Sequence, residues 1–230
     1  MRPASGWHHE VVSTAATPKG ERRRQSLVDA AADLLAEGGF DAVRHRAVAS
    51  RADLPLASTT YYFESLDELI AAAVERIATR ELDTMRAHVR RLDHRPGDDA
   101  ETVDVLVDLL VGPHDEPEEN ERERLVVRYE WIVAAARREQ LRGVQIDLRE
   151  QLADVVADAL DRLGRDPDAR LRKLLEIVDG AMIWALGRRD VNVREETRSL
   201  LLDVIGIMAP LASATAESTD IHIVDSRAAE

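Results

Sequence analysis

An all-α fold is predicted by three features of this chain. From Glu21 to about Leu211 apolar residues recur at helical spacing. Strand signals are nearly absent, apart from the short and terminal Ile221-His-Ile-Val224. The helical stretches are punctuated by capping residues and by glycine or proline stops. The expected architecture is an N-terminal three-helix head containing a helix-turn-helix. A long helix joins it to a larger C-terminal helical bundle, about nine helices in total.

Residues 1–18 are small, polar and aperiodic, as in a flexible arm. Leu27, Val28, Ala31, Leu34 and Leu35 form one apolar face of a first helix, which Gly38-Gly39 stops. Phe40 then folds back as a core anchor. A second helix from about Arg44 to Ala52 buries Ala47, Val48 and the stem of Arg51. The break Ala52-Asp-Leu-Pro55 precedes a third helix at about 56–63. Ser65-Leu-Asp-Glu68 is a capping box for a long fourth helix, whose apolar face (Leu69, Ile70, Ala73, Val74, Ile77) fades toward Leu92. After His94-Arg-Pro-Gly-Asp98 a fifth helix carries Val103, Leu106, Val107 and Leu110, and ends at Gly112-Pro113. The acidic run 114–121 reads as a solvated loop. Four further helices are expected at about 121–138, 143–163, 168–187 and 193–212. Asp166-Pro167 is expected to cap the third of these and Asn192 with Glu195 the last. Residues 213–230 read as a disordered tail. The domain division is thus 1–18, a head at 19–80, a bundle at 81–212, and the tail.

Composition narrows the function classes. With 45% hydrophobic and 33% charged residues the chain is globular. It contains no cysteine, which removes disulfides, thiolate catalysis and cysteine-ligated metals. No apolar run approaches the roughly 20 residues of a membrane span, and the first residues lack the apolar core of a signal peptide. A cytoplasmic protein that does not engage membranes is expected. Enzyme signatures are missing too: no histidine has a glutamate three residues before it, and there is no phosphate-binding glycine loop or nucleophile elbow. No catalytic residue, metal site or cofactor is expected.

The net charge is −13. Between Lys19 and Phe63, however, seven cations face six acids, a balance of +1, so the rest of the chain carries −14. A phosphate-rich partner would be repelled by most of this molecule, and only the head is a plausible docking face. The layout of Val43–Phe63, two short helices about a tight break, places the second helix in a DNA major groove. Leu56, Ala57 and Ser58 begin that helix, where residues face bases. Thr60, Tyr61 and Tyr62 present hydroxyls to phosphates, and Phe63 turns inward. Successive helical residues point about 100° apart, so the two tyrosines cannot both be fully buried. The guanidinium of Arg46 suits a guanine edge. Arg22, Arg23 and Arg24 fit either a phosphate grip or a solvated helix start.

The residues LVDAAADLLAEGGFDAV, AVASRADLP and STTYYFESLDELI resemble, in order and spacing, the head of the TetR family of bacterial transcriptional regulators. The match covers about Glu21 to Ile77. Beyond residue 80 it extends only to helix number and size. The resemblance implies a homodimer that binds a palindromic DNA operator and is released by a small-molecule inducer, most often as a repressor. It places Arg46 at a base edge. Arg44 replaces a threonine common in the family, a residue that both caps the second helix and bonds a phosphate. Thr60 replaces a usual tyrosine and Leu66 a frequent phosphate-contacting lysine. The competing reading is a helical adaptor that keeps a degenerate helix-turn-helix as scaffold and binds protein partners.

The last two helices are apolar on more than one face, which suits either central helices of a monomeric bundle or, as expected here, an intersubunit four-helix bundle. Leu174, Ile177, Val178, Ala181 and Trp184, with Leu201, Val204, Ile205 and Met208, are the expected dimer residues. A ligand pocket is expected within the larger domain, with Met85, Val107, Tyr129, Trp131, Ile132 and Trp184 as candidates for its lining.

Overall fold

The computed structural model describes residues 17–114, 117–167 and 170–212. Within them the chain forms nine α-helices: α1 Pro18–Ala42, α2 His45–Arg51, α3 Leu56–Tyr62, α4 Leu66–Val89, α5 Asp99–Leu110, α6 Glu118–Ala135, α7 Glu139–Arg162, α8 Leu171–Leu186 and α9 Val193–Met208. The expected tail, and the arm up to residue 16, lie outside the described residues.

The caps set the element boundaries. Thr17 accepts a hydrogen bond from the Gly20 N–H (3.1 Å), and Pro18 follows, so α1 starts a turn earlier than periodicity alone suggests. Its helical path ends at Gly38 and Gly39; Gly39, at φ 63° and ψ −161°, occupies a conformation open essentially to glycine alone. Ser65 accepts from the Glu68 N–H at 3.1 Å, while the Glu68 carboxylate reaches back to the Glu64 N–H at 2.6 Å. Asp98 and Asn192 cap α5 and α9 in the same way, at 2.8 and 3.0 Å.

The structure moves three of the expected boundaries or roles. Asp166 does not cap α8, whose N-cap position is Arg170. The Asp166 N–H bonds Pro210 O (2.9 Å) and the Ala212 N–H bonds Gly164 O (2.8 Å), so this segment is held extended against the residues that follow α9 and the helix starts only after it. The same pairing stops α9 at Met208. The acidic run is not all solvated loop either: Glu118 to Glu121 form the first turn of α6, where carboxylates suit the helix dipole. Glu121 is buried there and accepts from Arg194 at 2.9 and 3.1 Å. Arg194 also holds Asp108 (2.8 Å) and the Gly112 carbonyl, tying α9 to α5 and α6.

Two apolar cores result. The head core joins Leu27, Ala31 and Leu35 of α1 to Val48, Phe63, and Leu69, Ile70 and Val74 of α4, and continues into Trp131, Ala135 and Leu141 of the body. The body core joins Leu106, Leu125, Val156 and Leu160 to α8 and α9. Phe40 is a half-buried edge of the head, with the Arg138 guanidinium over its ring at 4.7 Å. Helix α4 runs through both units, packed against α1 at one end and α7 along the other.

This core corrects part of the expected dimer face. Leu174, Val178, Leu201 and Ile205 are at most 1% exposed within the single chain, so they have no surface to offer a partner. They fill their own core because α8 and α9 cross over α5 and α6. The exposed part of these helices is instead Ile177, Ile183, Trp184, Leu202 and Ile207; Trp184 and Ile207 are 66% and 67% exposed. Ala181, Val204 and Met208 are half-buried between the two sets.

The Glu121–Arg194 pair should matter more to stability than any surface pair, since the side chains are only 5% and 15% exposed. Arg194→Met is expected to lower unfolding free energy in urea by about 3–5 kcal/mol by stranding Glu121. Arg188→Ala, which removes an exposed pair with Asp190, should change it by less than about 1 kcal/mol.

Candidate nucleic-acid interface

The short helix α3 is fixed from below by two residues. Thr59 is fully buried and donates its hydroxyl to Leu56 O at 2.8 Å, which lets a polar side chain sit in an apolar floor. Phe63 is buried beneath the Arg24 guanidinium, 5.1 Å from its ring centroid. Arg24 is thereby committed to the head's own packing. The turn before α3 needs a left-handed residue, and Asp53 supplies it at φ 52°.

With Thr59 and Phe63 inward, the outer face of α3 is Leu56, Ala57, Thr60 and Tyr61. Leu56 is 48% exposed and Tyr61 59%, large apolar surfaces to leave on a seven-residue helix. Ser58 and Tyr62 are half-buried, and the two tyrosine rings meet edge to face at 4.9 Å. The Thr60 hydroxyl donates to Ala57 O at 3.3 Å.

The arginines divide into two groups. Arg44 folds back onto the end of α1, donating to Val43 O (3.2 Å), Phe40 O (3.4 Å) and Asp41 (3.2 Å), and its side chain makes no cap bond to α2. Arg51 makes a two-pronged pair with Glu37 at 2.7 and 2.8 Å, which holds the Glu37 carboxyl below its ordinary pKa. Lys19, Arg22, Arg23 and Arg46 are exposed and have no carboxylate partner among the described residues.

Sequence reasoning allowed Arg23 a phosphate grip but missed Thr17, Lys19 and Gly20 beside it. Thr17, Lys19, Gly20 and Arg23 line a groove of about 420 Å³ together with Ala57, Ser58, Tyr61 and Tyr62 of α3. The signal was the Thr17-Pro18 cap, which extends the helix back to this groove. A helix N-terminus flanked by cations suits a phosphate, and the adjoining face of α3 suits the groove beside it. The arrangement can therefore hold a nucleic-acid backbone and base edges at once.

The body contains a second site. Met85, Trp131 and Ile132 line a cavity of about 80 Å³ between α4, α6, α7 and α8, with Leu82, Leu148, Leu152 and Met182. Two ion pairs face it, Glu81–Arg128 at 3.0 Å and Asp179–Arg149 at 2.7 Å. The other three expected lining residues are elsewhere. Tyr129 stands behind the wall and donates its hydroxyl to Asp179 at 3.0 Å; burial and that carboxylate raise its pKa. Val107 is core and Trp184 is on the outer face of α8. Helical spacing marks the apolar residues, but it gives no sign that four charged ones turn inward to meet them.

Comparisons with known proteins match both the head and the body of the chain. The family model described as "Bacterial regulatory proteins, tetR family" matches residues 27–73, and "Tetracyclin repressor-like, C-terminal domain" matches 97–207. The chain is 30% identical over 171 residues, 73% of its length and 82% of the relative's, to an HTH-type transcriptional regulator in the dhlA 5′ region of Xanthobacter autotrophicus. It is 39% identical over 56 residues, about a quarter of either chain, to the repressor KstR of Rhodococcus jostii. Among solved structures it resembles the multidrug binding protein EbrR complexed with proflavin, at 30% identity and TM-score 0.61 over 80% of this chain and 99% of that one. EbrR complexed with ethidium is similar at 29% identity and TM-score 0.61, over 79% and 98%.

If the groove beside α3 holds a phosphate backbone, Arg23→Ala should weaken binding to specific and random duplex alike. It should also reduce the slope of log K against log salt by about one. A slope equal to that of the unaltered chain would place Arg23 off the backbone.

Proposed function

The chain belongs to the TetR family of bacterial transcriptional regulators, and we propose that it acts as a homodimeric repressor released from a palindromic operator by a small molecule. The observation that carries the reading is the outer face of α3. Leu56, Ala57 and Tyr61 are exposed there beside cations that have no carboxylate partner among the described residues, in a molecule of net charge −13. Base edges and thymine methyls would cover the first, and phosphates the second. Arg46 is the candidate for a guanine edge. Arg44 would have to leave Asp41 to reach a phosphate, an exposed pair that costs little to break.

The dimer reading is supported by what the body leaves uncovered. Five of the ten exposed large hydrophobics of the described chain lie on α8 and α9. Ile177, Gly180, Ala181 and Trp184 recur at helical spacing along α8. A Cβ built on Gly180 would meet nothing within 4 Å, and one on Gly206 of α9 only the Asp99 carboxylate at 3.8 Å. Such a surface lets a second pair of helices approach closely, and a twofold axis through it would place two α3 helices for one palindrome. The dimer matters energetically because each acidic protomer brings only a small basic face.

The small-molecule part rests on the cavity beneath α4 and on the EbrR complexes. Helix α4 carries both the head core and a wall of the cavity, so a ligand that shifts it changes the spacing of the two recognition helices.

A gel shift with the chain's own promoter region over a salt titration tests the regulator. Specific binding should weaken steeply with salt, and no specific binding at low salt would sink the reading. Gly180→Leu is expected to fold normally, since Gly180 is exposed and a Cβ there meets nothing within 4 Å. By sedimentation it should be monomeric, and it should bind the operator at least about tenfold more weakly.

A further inference from the structure

The cavity has a neighbour. A hollow of about 450 Å³ lies between the later part of α4, the end of α5 and the start of α6, and Glu81, Met85 and Arg128 line both spaces. These three side chains are therefore the partition between them. Joining them requires Arg128 to move off Glu81.

The two ends of that ion pair are not equally easy to release. Arg128 has a second acceptor: its Nη1 donates to Leu110 O at 2.7 Å, at the C-terminal end of α5, where the helix dipole favours a cation. Glu81 has no other partner among the described residues. Its side chain is 25% exposed; the wall on the cavity side is mainly leucine, methionine and tryptophan, and the hollow on the other side is lined by Thr84, His88, Asp108 and Arg124. A carboxylate stranded there is costly, whereas Arg128 stays compensated. The second carboxylate of the cavity, Asp179, already has Arg149 and the Tyr129 hydroxyl.

We propose that the inducer is an organic cation whose charge takes the place of Arg128 on Glu81, joining the two spaces. The proposal deepens the reading of the body as a small-molecule receptor and rests on it. An anion would take Arg128 and strand Glu81; a neutral molecule would have nothing to exchange for the pair. Trp131 offers a π face beside the entering charge. The net charge of −13 raises the local concentration of cations. The exchange is also the switch. Glu81 lies on α4, and its bond to Arg128 ties that helix to α6 and to the end of α5. A ligand that takes Glu81 removes this tie and leaves α4 attached to the head by its apolar core and by the Asp29 pairs with Arg76 and Arg80.

The test is a fluorescence titration of the full chain with ethidium and proflavin as cations and 8-anilinonaphthalene-1-sulfonate as the anion. Melting curves verify that each variant is folded. Saturable ethidium binding is expected, at least about tenfold weaker in Glu81→Gln and largely recovered in Glu81→Asp. Arg128→Gln should bind ethidium as tightly as the unaltered chain or more tightly, because the competing guanidinium is gone. If that variant does not fold, the Glu81 pair of variants decides. Loss of binding in Arg128→Gln with none in Glu81→Gln would put the ligand on the arginine and overturn the proposal. So would the absence of saturable binding of either cation, or operator release by the anion alone. Those results leave the repressor reading standing. Failure to bind any operator sinks that reading, while the titration still decides whether a cation binds at Glu81.

Discussion

Helix α4 belongs to two cores at once, and the rest of the molecule is organised around that constraint. Its first turns bury Leu69, Ile70, Ala73 and Val74 against α1 and α2, while Leu82 and Val89 pack against α5 and α7. At roughly 1.5–3 kcal/mol for each large apolar side chain, either contact set is too strong to open on its own. The polar ties are different. Arg138–Asp67, Arg128–Glu81 and Arg86–Gln151 join α4 to the body through single side chains, and each can be exchanged for another partner. The apolar contacts fix α4 against both units, and the polar ties between α4 and the body are the contacts that can be exchanged.

Electrostatics adds a second constraint. The body has buried or half-buried arginines at several helix crossings, and their roles are internal: Arg165 with Asp99, Arg194 with Glu121 and Asp108, Arg128 with Glu81 and a helix end. Such pairs add little net stability compared with apolar packing, but breaking one strands a charge. They therefore fix which helices meet, and they make a charged ligand able to compete. At the head the opposite holds: Lys19, Arg22, Arg23 and Arg46 are left in solvent, Lys19 and Arg23 in the groove beside α3, available to a partner made of phosphate.

Much of this was legible in the sequence where local chemistry decides the outcome. Ser65, Asp98 and Asn192 cap helices wherever they occur in such patterns, and Gly38-Gly39 ends one because Gly39 adopts a conformation other residues avoid. The order of short helices around Asp53 was readable for the same reason. Long-range decisions were not. The late start of α8 depends on Gly164 and Asp166 pairing with residues near 210, some 45 positions away. Periodicity marks α8 as apolar on two faces but cannot say which is spent on its own core, so Leu174 and Val178 looked equivalent to Ile177 and Trp184. For the cavity, Glu81 and Arg128 are ordinary helix-surface residues by type; only the crossing of α4 and α6 turns them toward each other.

The central claim is that α4 transmits the state of the cavity to the recognition helices, and the most direct measurement is a distance. The chain has no cysteine, so Ser50→Cys gives a single spin-label site on the exposed end of α2, beside α3. Pulsed electron–electron resonance on the labelled dimer should give one distance without ligand and a distribution shifted by several ångströms with saturating ethidium. It should return to the first distance when operator DNA is added without ligand. An unchanged distance under ethidium concentrations that release the operator would contradict the account, because the release would then not pass through α4.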